Sequence, residues 1–189
     1  KEIEHYKAVV SALKRRGLEP IVTLHHFTNP LWFAQSGGWT LKSSTERFLN
    51  YVEKITNSLK DDVRFWVTIN EPMVYVYHSF LLGLWPPQEA SLLKTWIVQK
   101  NLLQAHIKAY HLINKIYEEN RLGKPFVSIA QNMQDFVPCR ATARNKFAAF
   151  LRSKVFNLDF ISRSFCANAL DFIGVNYYSR SLVELRGWG

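Results

Sequence analysis

The feature that most constrains this chain is an alternation. Four short, mostly apolar runs, at residues 19–27, 63–69, 126–130 and 172–178, are separated by longer segments with helical spacing. A run this apolar belongs to a strand covered on both faces, as in a parallel sheet. Between the runs, apolar residues recur every three or four positions. Residues 3–16 place Ile3, Tyr6, Val9, Val10 and Leu13 on one face, and Gly17 then stops the helix. Phe48, Val52, Ile55 and Leu59 do the same over 45–59, and Trp96, Leu103, Ile107, Tyr110 and Tyr117 over 92–117. A basic helix is expected over 142–161. This order predicts an α/β fold of βαβ units around a parallel sheet.

Two architectures use such units, an open doubly wound sheet and a closed (β/α)8 barrel. A nucleotide-binding doubly wound sheet usually carries a glycine fingerprint after a strand. None is present, because Gly37-Gly38 sits in a loop without the required spacing. Polar and aromatic residues gather instead at the carboxyl ends of the strands: His25-His26-Phe27, Asn70-Glu71, Asn132 and Asn176-Tyr177-Tyr178. Barrel enzymes build their sites at that rim. The expectation is therefore part of a (β/α)8 TIM barrel. A whole barrel takes about 250 residues; the 189 residues here form a single incomplete barrel domain with four strands. Such a half-barrel should expose unpaired edges at 21–24 and 174–178, which invite aggregation.

With 48% hydrophobic residues the chain can build a core, and no run of about 18 uncharged apolar residues spans a membrane. The net charge of +9 raises the question of nucleic acid, and +6 of it lies within residues 121–163. No zinc-finger, basic-zipper or RNA-recognition signature accompanies it, so a solvated basic face is expected, without nucleic-acid or membrane partner. Cys139 and Cys166 form no C-x-x-C pair and are expected to be buried free thiols. With the absence of a signal-peptide pattern, they suggest a cytoplasmic location.

Glu71 is the sharpest candidate for chemistry. It follows a strand, and Pro72 should hold its backbone extended. A carboxyl at such a rim suits a general acid; the alternative is a Glu that caps the next turn. His25 and His26 alternate across a strand, so one reaches the cleft while the other packs among helices. Their spacing does not suit a metal. Asn176 and Tyr178 share a side of the last strand, offering an amide, a hydroxyl and a ring face to a polyhydroxylated ligand. Phe27, Trp32, Trp39 and Trp85 could add stacking surface. No G-x-S-x-G or P-loop occurs.

Four segments in order carry a resemblance: T-L-H-H-F-T-N-P over 23–30, G-G-W over 37–39, W-V-T-I-N-E-P over 66–72 and D-F-I-G-V-N-Y-Y-S over 171–179. They resemble glycoside hydrolase family 1, the β-glucosidase family, and correspond to its third to sixth barrel strands. The resemblance implies a retaining β-glycosidase acting on a small-molecule β-glycoside without metal or organic cofactor. It matches Glu71 to the acid/base carboxyl and Asn70 to the amide on the sugar 2-hydroxyl. His26 matches the histidine on the glycone hydroxyls, with Phe27 where many members carry Trp. Tyr178 matches the tyrosine that bonds the nucleophile, and Asn176 lies beside it. The family's nucleophile, a Glu in a T/I-x-E-N-G motif, has no counterpart in these residues, and 138–171 is shorter than usual. Two readings stand at this point: part of a β-glycosidase, inactive alone, or a non-catalytic carbohydrate-binding chain.

Overall fold

The computed structural model describes residues 1–185. Its elements run α1 (Glu2–Arg15), β1 (Ile21–His25), α2 (Leu31–Gln35), α3 (Ser44–Leu59), β2 (Phe65–Asn70), α4 (Pro72–Val76), α5 (Leu92–Glu119), β3 (Phe126–Pro138), α6 (Ala143–Ser153), α7 (Asp159–Cys166) and β4 (Gly174–Val183). A 3-10 turn covers Gly38–Thr40, and single π turns cover Tyr77–Leu81 and Lys154–Leu158. The four strands form one sheet in the order β1-β2-β3-β4, parallel throughout. The chain thus has the alternating α/β architecture its periodicity predicts.

Helices α3 and α5 each bury an apolar stripe, whereas of the stripe expected on α1 only Val10 is buried, Tyr6 and Val9 being exposed. On α3 the stripe is Phe48, Val52, Thr56 and Leu59; on α5 it includes Val98, Leu102, Ala105, Ala109, Ile113 and Ile116. Trp96, which the pattern put on that stripe, is 59% exposed. Helix α1 ends where Gly17 takes a φ of 72° and Leu18 N–H turns back to the Leu13 carbonyl, a left-handed stop that glycine makes at little cost. Behind β2, the Trp66 indole N–H donates to the Tyr117 hydroxyl at 3.0 Å, and that hydroxyl donates to the Val63 carbonyl. His106 of α5 meets the Thr68 hydroxyl at 2.7 Å, tying helix and strand through a buried polar pair.

Several expectations need correction. The strands at the two ends are not covered on both faces: Ile21 of β1 is 61% exposed and Val175 of β4 60%. Each is an edge of the described sheet, so one side lacks a neighbour. β3 continues past Ala130 to Pro138, because β4 pairs with it that far despite the polar residues between. The basic helix is two helices joined by a π turn. That turn's geometry leaves the Phe156 carbonyl to the buried Gln131 amide at 2.8 Å, and Asn157 bonds both backbone groups of Gln134. Cys139 and Cys166 are both exposed free thiols, not buried ones. No described helix is long and apolar enough to cross a membrane.

Candidate active site

Strand β2 carries an irregularity that aims its end. Residues 67 and 70 of β2 pair with 128 and 130 of β3, so one extra residue bulges from β2. Bulges twist a strand locally and redirect the side chains that follow. Directly after it, Glu71 has φ 46° and ψ 57°, in the left-handed region. The extended backbone expected before Pro72 is therefore not adopted. Two hydrogen bonds hold the alternative: Glu71 N–H donates to the Ala130 carbonyl at 2.7 Å, and the Glu71 carbonyl accepts from Val74 and Tyr75 at the start of α4. Such a conformation costs about 1–3 kcal/mol in a residue other than glycine and persists only when its surroundings impose it.

The Glu71 side chain is 5% exposed. Its Oε1 accepts from two carboxamides, Asn176 Nδ2 at 2.8 Å and Asn132 Nδ2 at 3.2 Å. Asn176 Nδ2 also donates to Asn70 Oδ1 at 3.1 Å. Among the described residues, Oε2 takes no hydrogen bond. The arrangement thus distinguishes the two oxygens, with one held by donors and the other open to carry or pass a proton. Asn70 of β2, Glu71 just after it, Asn132 on β3 and Asn176 on β4 form one polar cluster at the carboxyl end of the sheet. Asn132 belongs to the polar rim visible in the sequence but was not singled out; its place after an apolar strand run was the available signal.

The other candidates lie around this cluster. His25 and His26 part as alternation requires. His25 is buried among Trp39, Phe48 and Tyr75, with ring centroids 5.3, 6.4 and 5.7 Å away. Burial lowers its pKa to about 4, so its ring is neutral near pH 7. His26 is exposed, 5.0 Å from the Phe27 ring, and Phe27 stands edge-on to Trp85 at 5.1 Å. Asn29, not anticipated, ties this corner together. Its Oδ1 faces His25 Nε2 at 3.2 Å and accepts from Trp39 at 3.0 Å, while its amide donates to Tyr75 at 3.0 Å and to the Phe27 carbonyl at 3.4 Å. Phe27 itself sits at φ 66°. The Asn-Pro pair at 29–30 was the turn signal.

Tyr178 is 74% exposed, and among the described residues no hydrogen bond joins it to Glu71. The register between β3 and β4 shifts between Met133 and Asp135, opposite this residue, so a simple alternation with Asn176 does not hold there. Trp39 is a core side chain, 2% exposed. Trp32 is exposed beneath the Arg47 guanidinium, and Trp85 stacks on His78 at 4.7 Å. Cavities of about 550 and 620 Å³ lie at and beyond the carboxyl end of β1, neither of them lined by Glu71. No three His, Cys, Asp or Glu side chains gather as a metal site among the described residues.

A parallel α/β sheet with its polar cluster at the carboxyl rim places the chain among (β/α)8-barrel proteins. Within them it belongs to glycosyl hydrolase family 1, whose family model matches residues 1–171. The β-glycosidase from Pyrococcus horikoshii superposes with a TM-score of 0.87 at 33% identity over 99% of this chain and 45% of its own. A β-glucosidase from Thermotoga maritima in complex with deoxynojirimycin gives 0.85 at 22% identity, over 95% and 46%. Galactolipid galactosyltransferase SFR2 of Arabidopsis thaliana is 29% identical over 96% of this chain and 30% of its own. The chain thus spans about half of the solved barrels and under a third of that relative.

Proposed function

We propose that this chain carries the acid/base side of a retaining β-glycosidase site, with Glu71 as the proton donor and acceptor. In such a reaction one carboxylate attacks the anomeric carbon while the other protonates the leaving oxygen, then takes a proton from water. The observation that carries the reading is the buried Glu71 carboxyl, with both carboxamide donors on Oε1 and Oε2 open. Donors on one oxygen orient the group, so its proton sits where a glycosidic oxygen would approach.

The roles of the neighbours follow the family resemblance: Asn70 on the sugar 2-hydroxyl, His26 and Phe27 on the glycone, Asn176 on Glu71, and Tyr178 on the nucleophile. A retaining site needs its two carboxyls about 5–5.5 Å apart, and no x-E-N-G segment occurs in these 189 residues. The chain alone should therefore not turn over glycosides. Purified chain incubated with an activated β-glucoside tests this; turnover abolished by Glu71→Gln would refute it. The acid/base assignment has its own test. A hybrid that supplies the first two and the last two barrel strands from the Pyrococcus horikoshii protein should hydrolyse β-glucosides. In it, Glu71→Gln should lower turnover of a poor leaving group by about 10²–10⁴-fold. Hydrolysis by the hybrid that ignores Glu71 overturns the assignment.

A further inference from the structure

Helix α6 and the π turn after it present two apolar faces. One packs inward, where Asn145, Ala149 and Phe156 are buried. The other points to solvent: Phe147, Phe150, Leu151, Val155 and Leu158 are 36% to 62% exposed. Their spacing of i, i+3, i+4, i+8 and i+11 is that of a single helical stripe. A surface helix ordinarily needs one such stripe, turned to the core; a second, contiguous and exposed, marks an interaction surface.

Positive charge surrounds it. Lys146 and Lys154 are exposed on the same segment, and Lys154 Nζ stands 5.6 Å from the Phe150 ring centre. The nearby acids include Asp159, which bonds Gln99 and Arg163, Asp135, which pairs with Arg180 at 2.7 Å, and Glu184, which lies 3.9 Å from Arg140. The stripe sets exposed apolar side chains beside exposed lysines. It suits a bilayer interface, where apolar side chains reach the acyl boundary while cations stay beside lipid phosphates.

We infer that α6 and its π turn form a docking surface for an anionic lipid bilayer, with the helix lying in the interface plane. This departs from the sequence expectation of a solvated basic face without a membrane partner. It rests on no part of the glycosidase assignment.

The test is co-sedimentation of the 189-residue chain with vesicles of phosphatidylcholine alone and of equal parts phosphatidylcholine and phosphatidylglycerol. The chain should bind the anionic vesicles at least tenfold more tightly. Adding salt until the Debye length falls from about 10 Å to about 3 Å should remove most of that preference. Lys146→Gln and Lys154→Gln should each weaken binding about fivefold, and Phe147→Asp with Phe150→Asp should abolish it. Equal binding to both vesicles, binding to neither, or binding indifferent to both pairs of substitutions overturns the inference. So does a dimer, seen by sedimentation velocity, that Phe147→Asp with Phe150→Asp dissociates, since a second copy would then cover the stripe.

Discussion

Gly174→Ala tests how closely β4 lies against β3, and through that how the site is held. A Cβ at residue 174 would stand 3.0 Å from Ala130 Cβ, 3.1 Å from Ala130 Cα and 3.3 Å from the Ile129 carbonyl oxygen. Unstrained carbon contacts lie at about 3.5–4.0 Å, so the strands must give by a few tenths of an ångström. Nothing flexible can yield. Ala130 pairs with Asn70 and with Gly174, and its carbonyl accepts the Glu71 N–H. Overpacking of this kind costs about 1–3 kcal/mol, which for a domain of this size lowers Tm by about 2–12 °C. Asn176, two residues along β4, would move with the strand and lengthen its 2.8 Å bond to Glu71. Gly123→Ala is the control, because no heavy atom lies within 4 Å of its added Cβ. There the loss of unfolded-chain freedom should leave stability unchanged or raise it by about 0.4–1 kcal/mol. Thermal unfolding of both variants, followed by circular dichroism, decides the matter. Equal Tm values for the two would show that the β3–β4 approach does not constrain the fold.

Two further outcomes follow from buried polar groups. His25 and His106 are both buried, and desolvation lowers the pKa of each from 6.5 to about 4. The unfolded chain therefore binds more protons than the native one between those values, so stability is full above about pH 6.5 and falls as pH drops toward 4. Two such groups give a slope of up to about 2.7 kcal/mol per pH unit within that window. Urea denaturation at stepped pH should show it, and His106→Gln should roughly halve it; an unchanged slope in the variant would count against the buried neutral imidazole. Trp66→Phe removes the indole donor to the Tyr117 hydroxyl. It should cost about 1–3 kcal/mol in urea unfolding, counting the acceptor left unpaired and the lost ring volume; a change under about 0.5 kcal/mol would show that the bond contributes nothing.

Much of the fold was legible because its signals are local. The stripe Phe48, Val52, Leu59 and the stop at Gly17 need only neighbouring residues to be read, and both stand in the structure. Short elements were not legible. The five residues of α2 and of α4 offer too little periodicity to separate helix from loop. The π turn at Lys154–Leu158 depends on Gln131, more than twenty residues away in the chain, so no helical pattern announces it. The thiols of Cys139 and Cys166 failed the usual burial of free cysteine because neither lies on an inward stripe.

From sequence alone came the alternation of strands and helices, the parallel sheet and the polar rim with Asn70, Glu71, Asn132 and Asn176. These depend on which residues are apolar and at what period, and that is written along the chain. Only the folded chain decided how the rim works. Glu71 takes a left-handed backbone that its following proline argued against, because Ala130 on the next strand accepts its N–H. Its two donors come from 61 and 105 residues away. Both choose one carboxyl oxygen, a preference set by strand register and a bulge rather than by any motif. Hydrogen-bond geometry among distant strands is a property of their packing, and packing has no spelling in a linear sequence.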